Sequence, residues 1–313
     1  MASFRPALIL CCLLALPAGA WAQSAGPLRC FVSIPPQAWF LERLGGQLVE
    51  VKVLAPPGAS PHTFEPTPRQ VAALGLAQVY FSLGLPFEQK MLPRARAASP
   101  GLKVVDTAKG VALRRLSDEE EEFEEAGHNK DGNRHGGEAG GHGEPDPHFW
   151  LSPAQAQIMA ANLARGLEEA DPVHAGAYAA NLGRLVEVIK ALDRRLAEVL
   201  APHKGGEFLV YHPAFGYLGE AYGLRQVPVE IGGKEPGPRR LARLIDLARA
   251  RGVKVVFVQP QFPAASARRL AEAIGGAVVP LDPLARDWAA NLEGMARALE
   301  SGVRDSRQGL QDR

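Results

Sequence analysis

The sequence has few cysteines and almost no net charge. Of its three cysteines, Cys11 and Cys12 lie in the first apolar run and only Cys30 follows it, so no disulfide is expected in the rest of the chain. A net charge of +1 excludes the large positive field typical of nucleic-acid binding. The chain also has no His-Glu-x-x-His helix and no Gly-x-Ser-x-Gly elbow, so two common hydrolase signatures are missing.

No apolar run is long enough to cross a membrane and carry a domain on each side, which limits how the N-terminus can be interpreted. Arg5 is followed by an apolar run over residues 7–16, and Ala20 and Ala22 form a small-x-small pattern just beyond it. This order predicts a secretory signal peptide over residues 1–22, cleaved on export to the periplasm. A buried N-terminal helix is the alternative.

Short apolar segments alternate with helical patterns along the chain, which predicts an α/β fold. The pattern in residues 28–170 recurs in residues 206–313, so we expect two doubly wound lobes. Residues 171–201 keep apolar positions at helical spacing for about 25 residues, which predicts a long backbone helix that joins the lobes. Thr67 and Ser152 each precede a proline and stand three residues before a glutamine, and this pattern predicts capped helix starts.

Residues 117–145 differ in composition from both lobes. An acidic tract over residues 119–125 is followed by a glycine-rich segment with His128, His135 and His142. Repulsion between the acids and the entropy of the glycines oppose packing. We therefore predict a mobile loop that collects metal ions weakly, and a spacer without function is the alternative.

Four side chains that can ligate a metal stand near the ends of predicted elements. His62, His212 and Asp282 follow strands, and His148 lies between the acidic loop and a helix start. Because ligands bind beyond the carboxyl ends of parallel strands, we expect these four side chains to meet in the cleft between the lobes. Three imidazoles and one carboxylate form a tetrahedral set that suits Zn²⁺.

Each of these residues also has an ordinary structural interpretation. A lone histidine is more often a core or capping residue than a ligand, and that interpretation is kept for His174 and His203, which flank the long helix. Prolines on both sides of His62 and His148 favour ligation, because they fix the local backbone. Asp282, which precedes a proline, is equally consistent with a turn residue.

Five motifs occur along the chain in a specific order. They are PHTFEPTP at 61–68, DPHFWLSP at 146–153, YHPAFGY at 211–217, QPQF at 259–262 and LDPL at 281–284. In these motifs the chain resembles the metal-binding components of ABC importers of the zinc and manganese cluster, the ZnuA/TroA type, over roughly residues 28–300. The resemblance implies a metal held between two α/β lobes by His62, His148 and His212, with an acidic or water ligand completing the shell.

The resemblance implies a periplasmic solute-binding protein, not an enzyme, that captures Zn(II) and delivers it to an ABC transporter membrane permease. We expect it to act as a monomer. Manganese-specific relatives tend to carry glutamate at the position of His212, and nitrogen ligands favour Zn²⁺ over Mn²⁺. Zinc is therefore predicted, with Mn(II) as the alternative.

The chain departs from its relatives at two points. Gln259 stands where many relatives have glutamate, which leaves Asp282 as the only obvious carboxylate for the site. The second-lobe disulfide of some zinc members cannot form here. Glu65 and Glu230 are candidates to orient the histidines by hydrogen bonds from outside the ligand shell.

Two other protein classes stay open. A zinc hydrolase would need an open coordination position and a general base near a bound water, and Glu65 is the candidate base. A surface adhesin, a label that some relatives have carried, is supported by no repeat and no large apolar patch. Hydrolase assays with and without chelator are expected to separate a carrier from an enzyme.

Overall fold

The computed structural model describes residues 26–115, 145–230 and 233–311, with side chains described up to residue 303. The predicted signal peptide and nearly all of the acidic, histidine-rich loop lie outside these residues. Within the described ranges, no helix combines the length and the apolar character that a bilayer crossing requires.

Eight short strands form two parallel four-stranded sheets, as the alternating pattern predicted. The first sheet has the order β2-β1-β3-β4 and the second β6-β5-β7-β8, so the two lobes repeat one topology. The strands are β1 Leu28–Val32, β2 Val49–Val53, β3 Val79–Ser82, β4 Lys103–Asp106, β5 Glu207–Val210, β6 Arg225–Pro228, β7 Val255–Val258 and β8 Ala277–Pro280. The central strands β3 and β7 are buried along their whole length, as expected where helices cover both faces of a parallel sheet.

Nine α-helices cover the sheets in the described part of the chain. They are α1 Pro35–Gly45, α2 Pro68–Leu74, α3 Pro86–Ala98, α4 Pro153–Ala170, α5 Ala175–Leu200, α6 Gly216–Tyr222, α7 Pro238–Ala250, α8 Ala265–Ala273 and α9 Trp288–Gln311. Short 3₁₀ turns occur at Gly46–Leu48, Phe149–Leu151, Pro172–His174 and Ala201–His203. Helix α5 is the long helix that the apolar spacing predicted, and it contacts α1, α4 and α9.

Of the two predicted capped helix starts, one has its capping box and the other does not. The Thr67 hydroxyl accepts a hydrogen bond from the Gln70 backbone amide, and Gln70 Oε1 accepts one from the Thr67 backbone amide at 2.9 Å, so the capping box is present. Ser152 precedes Pro153 at the first position of α4, but its side chain makes no capping hydrogen bond. Proline alone therefore sets this second start, since its fixed φ angle suits a first helical turn.

The segment that carries His148 is fastened to the second lobe. The indole of Trp150 is fully buried and donates to the Pro283 carbonyl at 2.9 Å. The indole of Trp288 donates to the Trp150 carbonyl at 2.7 Å. Trp288 also packs against Trp39 of α1, with ring centroids 5.4 Å apart, so α9 begins against the first lobe. The predicted unit 206–313 therefore reaches across the junction.

Candidate metal site

His62 lies in the proline-rich segment that follows edge strand β2. This segment turns at Ser60, whose carbonyl accepts hydrogen bonds from the amides of Thr63 (3.2 Å) and Phe64 (2.9 Å). The Phe64 ring packs edge-on against Phe87 of α3, with centroids 5.1 Å apart. The position of His62 therefore depends on a turn closed by its own backbone and on one aromatic contact.

His148 directly precedes the buried 3₁₀ turn Phe149–Leu151 and is itself buried. Its amide donates to Asp146 Oδ1 at 2.9 Å, and its ring Nδ1 donates to the same oxygen at 2.7 Å. Asp146 is 1% exposed. Because a carboxylate accepts the Nδ1 proton, the lone pair of this imidazole is at Nε2.

His212 follows the central strand β5 and is held from two sides. Its Nδ1 donates to Glu230 Oε1 at 2.5 Å, which again leaves the lone pair at Nε2. Its backbone is paired with the Gln259 side chain, which accepts from the His212 amide at 3.1 Å and donates to its carbonyl at 2.6 Å. The Phe262 ring stacks on the imidazole at 4.7 Å.

The structure brings the three histidines together, although they are 86 and 150 residues apart in the chain. The Nε2 atom of His62 lies 3.2 Å from the Nε2 of His148 and 3.2 Å from the Nε2 of His212. All three possible ligand atoms lie within 4.8 Å of one another. Zn²⁺ bound tetrahedrally to nitrogens at 2.0–2.1 Å would place neighbouring nitrogens about 3.3 Å apart, so the geometry fits such an ion.

The surroundings keep two of these imidazoles in their neutral, metal-binding form. Burial, and then the nearby His148 and His212 rings, lower the pKa of His62 to about 2. Burial also lowers the pKa of His212, although the hydrogen bond to Glu230 acts in the opposite direction. A metal ion therefore need not displace a proton from either ring at neutral pH.

Asp282, predicted as the fourth ligand, is not brought into this group. Its Oδ1 instead accepts hydrogen bonds from Gln261 Nε2 at 2.8 Å and from the Leu284 amide at 2.9 Å. In the second sheet Asp282 follows edge strand β8, and β7 separates β8 from the strand before His212.

The carboxylates behind the histidines match the prediction in part. Glu230 contacts His212 as its predicted role requires. Glu65 is exposed and lines, together with His62, a cavity of ≈ 510 Å³ beside α3, and in the described residues it makes no hydrogen bond to a histidine. Asp146, which was not predicted to orient His148, holds its ring, and the Asp-x-His spacing could have indicated it. His174 and His203 lie outside the group, as expected.

Comparison with known proteins identifies the family of the chain. Residues 30–302 match the family described as "ZnuA: Zinc-uptake complex component A periplasmic". The chain belongs to this family. A crystal structure of ZnuA is 36% identical and has a TM-score of 0.78, and the match covers 88% of this chain and 99% of that chain. A second structure, described as "138-173 ZnuA deletion mutant plus zinc bound", is also 36% identical, with a TM-score of 0.77 over 88% of this chain and 98% of that one.

Two relatives found by comparison of sequences are less similar to this chain than the two ZnuA structures are. The "High-affinity zinc uptake system protein ZnuA" of Bacillus subtilis is 28% identical over 265 residues, which are 82% of this chain and 78% of the relative. The "Zinc-binding protein AdcA" of Streptococcus pyogenes is 26% identical over 83% of this chain. The chain spans about half the length of this AdcA, since only 51% of the relative is covered.

Proposed function

We propose that this protein captures Zn(II) and delivers it to an ABC-type membrane permease. The observation that carries the proposal is the convergence of three imidazole Nε2 atoms at His62, His148 and His212. Two of the three rings donate their Nδ1 protons to buried carboxylates. Such carboxylate–histidine pairs are typical of metal sites, because they fix the ring and raise the basicity of the ligand nitrogen.

The donor set favours zinc over manganese. Three imidazoles provide nitrogen, which Zn²⁺ binds more tightly than Mn²⁺ does in the Irving–Williams order. The buried carboxylates of Asp146 and Glu230 face the Nδ1 side of the rings, so they balance the charge of a dication without supplying oxygen ligands. Mn(II) remains the alternative cargo, and the competition experiment below decides between the two.

Capture without catalysis fits the site better than hydrolysis does. A zinc hydrolase needs a carboxylate or another base that is able to reach a metal-bound water. In the described residues, the small cavity shared by the three histidines is lined by no carboxylate, and Asp146 and Glu230 are engaged at the Nδ1 side of the rings. Glu65 is exposed and lines only the larger cavity that borders His62. The ion is therefore cargo that is held and released.

The remaining parts of the proposal concern the cellular setting. The periplasm is the compartment named in the family's description, and the predicted signal peptide over residues 1–22 would direct the chain there. An ABC transporter membrane permease is the proposed partner, and a monomer is the proposed state. The acidic, histidine-rich loop would raise the local concentration of zinc, with the three histidines forming the tight site.

Metal analysis tests the function directly. Protein purified without added metal, then equilibrated with equal Zn²⁺ and Mn²⁺, is expected to hold one zinc per chain and little manganese. Mass spectrometry of the native protein gives the stoichiometry, and elemental analysis identifies the metal. Preferential retention of manganese would replace the zinc assignment, and retention of neither metal would contradict the carrier function.

A further inference from the structure

A cavity of ≈ 510 Å³ lies between the loop that carries His62 and one face of helix α3. Its volume falls within the range of about 300–1,000 Å³ that is typical of small-molecule sites. His62 borders both this cavity and the small cavity shared by the three histidines. The metal site therefore has a second, larger space beside it, which the capture of an ion leaves unused.

The floor of the larger cavity is apolar. Phe87 and Met91 of α3 line it and are each 4% exposed. The Phe87 ring packs edge-on against the partly buried Phe64 of the loop, with ring centroids 5.1 Å apart, and Phe64 also lines the cavity. A ligand with an apolar body gains free energy here, because the floor and the ligand cover each other from water.

Two exposed cations, Lys90 and Arg94, line the cavity beside this floor. Together with Phe87 and Met91 they occupy positions i, i+3, i+4 and i+7 of α3, which lie on one face of a helix. Neither cation forms an ion pair within the residues that the structure describes. Because like charges four residues apart on a helix repel each other, an anion bound between them stabilises this face.

The charges around the cavity limit the ligand further. Lys90 and Arg94 provide two positive charges, and Glu65 of the loop provides one negative charge, which leaves a local sum of +1. His62 adds no charge at neutral pH, since its pKa is lowered to about 2 by burial and by the neighbouring rings. A singly charged anion matches this sum, and a carboxylate is suited to the planar guanidinium of Arg94, which can donate two parallel hydrogen bonds to it.

We propose that this cavity binds a small organic monocarboxylate with an apolar body. The two cations of α3 hold the carboxylate, and the two phenylalanines and the methionine of the floor contact the body. The bound molecule lies beside His62 and is not a ligand of the metal ion. The site is complete in metal-free protein, so the inference goes beyond the proposed zinc capture and does not depend on it.

Binding is tested with phenylacetate, added to metal-free protein so that the carboxylate has no ion to ligate. We expect a Kd of about 1 mM or tighter, in line with the free energy per atom of small ligands. Titration followed by NMR gives the affinity, and the largest changes in amide chemical shift are expected at Phe64, Lys90 and Met91. Changes confined to other parts of the chain would overturn the inference.

Three further compounds separate the contributions of charge and apolar contact. Phenylacetamide lacks the charge and is expected to bind about 5-fold more weakly, the upper end for an exposed ion pair. Acetate lacks the apolar body and is expected to bind more than about 10-fold more weakly, and inorganic phosphate is expected to bind more weakly than phenylacetate for the same reason. Equal binding of the amide would indicate only an apolar groove, and equal binding of acetate or phosphate only a cationic surface, and either result would overturn the inference.

Substitutions on α3 test the two cations directly. Lys90→Gln and Arg94→Gln are each expected to weaken phenylacetate binding by up to about 5-fold, and the double variant by more than either alone. Arg96→Gln changes an exposed arginine of the same helix that does not line the cavity, so it is the matched control. Urea unfolding shows that each variant keeps its fold. An equal loss in Arg96→Gln, or no loss in the double variant, would overturn the inference.

Failure of this inference can be told apart from failure of the proposed function. If the protein binds zinc tightly and phenylacetate leaves its spectrum unchanged, the carrier function stands and only the carboxylate site is lost. If the protein retains no zinc but binds phenylacetate beside α3, the carrier function fails and the carboxylate site stands.

Discussion

The three histidines are held in two different ways. His148 and His212 are buried, and each donates its Nδ1 proton to a buried carboxylate. His62 is partly exposed, and its Nδ1 has no hydrogen-bond partner among the described residues. Two arms of the site are therefore built into the lobes, whereas the third depends on the conformation of one loop.

The surroundings of the loop reinforce this contrast. Asp146 lies in a network that joins the lobes, since the Tyr217 hydroxyl donates to its carbonyl at 3.0 Å. The His62 loop borders the ≈ 510 Å³ cavity beside α3, which leaves room for movement. His62 therefore borders open space, whereas His148 and His212 are held in packed surroundings.

Removing a ligand should have the largest effect. His62→Ala, His148→Ala and His212→Ala are each expected to weaken zinc binding by more than about 100-fold, because outer-shell changes alone cost about 10- to 100-fold. Titration calorimetry with chelator competition measures the change. His174→Ala, a histidine outside the group, is the control, and unchanged tight binding in all three variants would contradict the site.

Removing a carboxylate should have the next largest effect and tests how the fixed rings are held. Asp146→Asn and Glu230→Gln are expected to lower zinc affinity by about 10- to 100-fold, because the imidazole loses both its orientation and its proton acceptor. Glu65→Gln is the matched control and is expected to bind like the parent. Equal affinities in all three variants would remove the distinction between fixed and loop-held histidines.

The free energy of unfolding should distinguish variants of the two buried histidines from a variant of His62. In metal-free protein, His212→Ala removes the imidazole that pairs with the buried Glu230 carboxylate, and His148→Ala removes the ring donor to Asp146 while the backbone amide of residue 148 still donates to it. Each should lower the free energy of unfolding by about 1–3 kcal/mol, with His148→Ala at the lower end. His62→Ala removes no such partner and should change it by less than about 0.5 kcal/mol. Urea titration gives these values, and equal losses in all three would contradict the contrast.

Lowering the pH should decrease the stability of the metal-free protein, because the His62 and His212 rings resist protonation in the folded state. The folded pKa of His62 is about 2 and that of His212 is also lowered, whereas an unfolded histidine titrates near 6.5. As the pH falls below about 6.5, the unfolded chain takes up protons that the folded chain does not, so stability falls, by at most about 1.4 kcal/mol per pH unit for each ring. His62→Ala should show a shallower dependence between pH 6.5 and 5, and an identical dependence would show that the site does not lower the pKa of His62.

Deleting the acidic, histidine-rich loop should have the smallest effect. Arg115 and Pro145 form an antiparallel bridge, so the ends of a chain lacking residues 118–144 are already close. Zinc affinity at the three histidines is expected to stay the same, in line with the ZnuA deletion mutant described as zinc-bound. A large loss of affinity, measured by the same chelator competition, would place a ligand in the deleted residues.

Much of the fold follows from the sequence, because its signals are local. The long helix α5 was predicted from apolar spacing, and its observed start at Ala175, behind the 3₁₀ turn Pro172–His174, differs by a few residues from the predicted one. Helix α3 was not predicted, and it contains Pro93, a residue that usually argues against a helix.

The site was less accessible to sequence reasoning, because it depends on which strand ends are neighbours. His212 and Gln261 follow the adjacent strands β5 and β7, whereas Asp282 follows edge strand β8. The order of strands within a sheet is set by the packing of the whole lobe and not by any one segment. A carboxylate at a strand end was therefore a candidate ligand whose place relative to the histidines no single segment of the sequence determines.

The burial of Trp150, whose carbonyl accepts a hydrogen bond from the Trp288 indole, makes metal binding visible by fluorescence. Trp150 lies two residues after His148, and the two rings are 5.3 Å apart, so an ion at His148 changes the charge close to a buried indole. Intrinsic fluorescence then reports occupancy of the site without an attached dye. The same emission would show, in real time, the moment at which a docked transporter removes the ion.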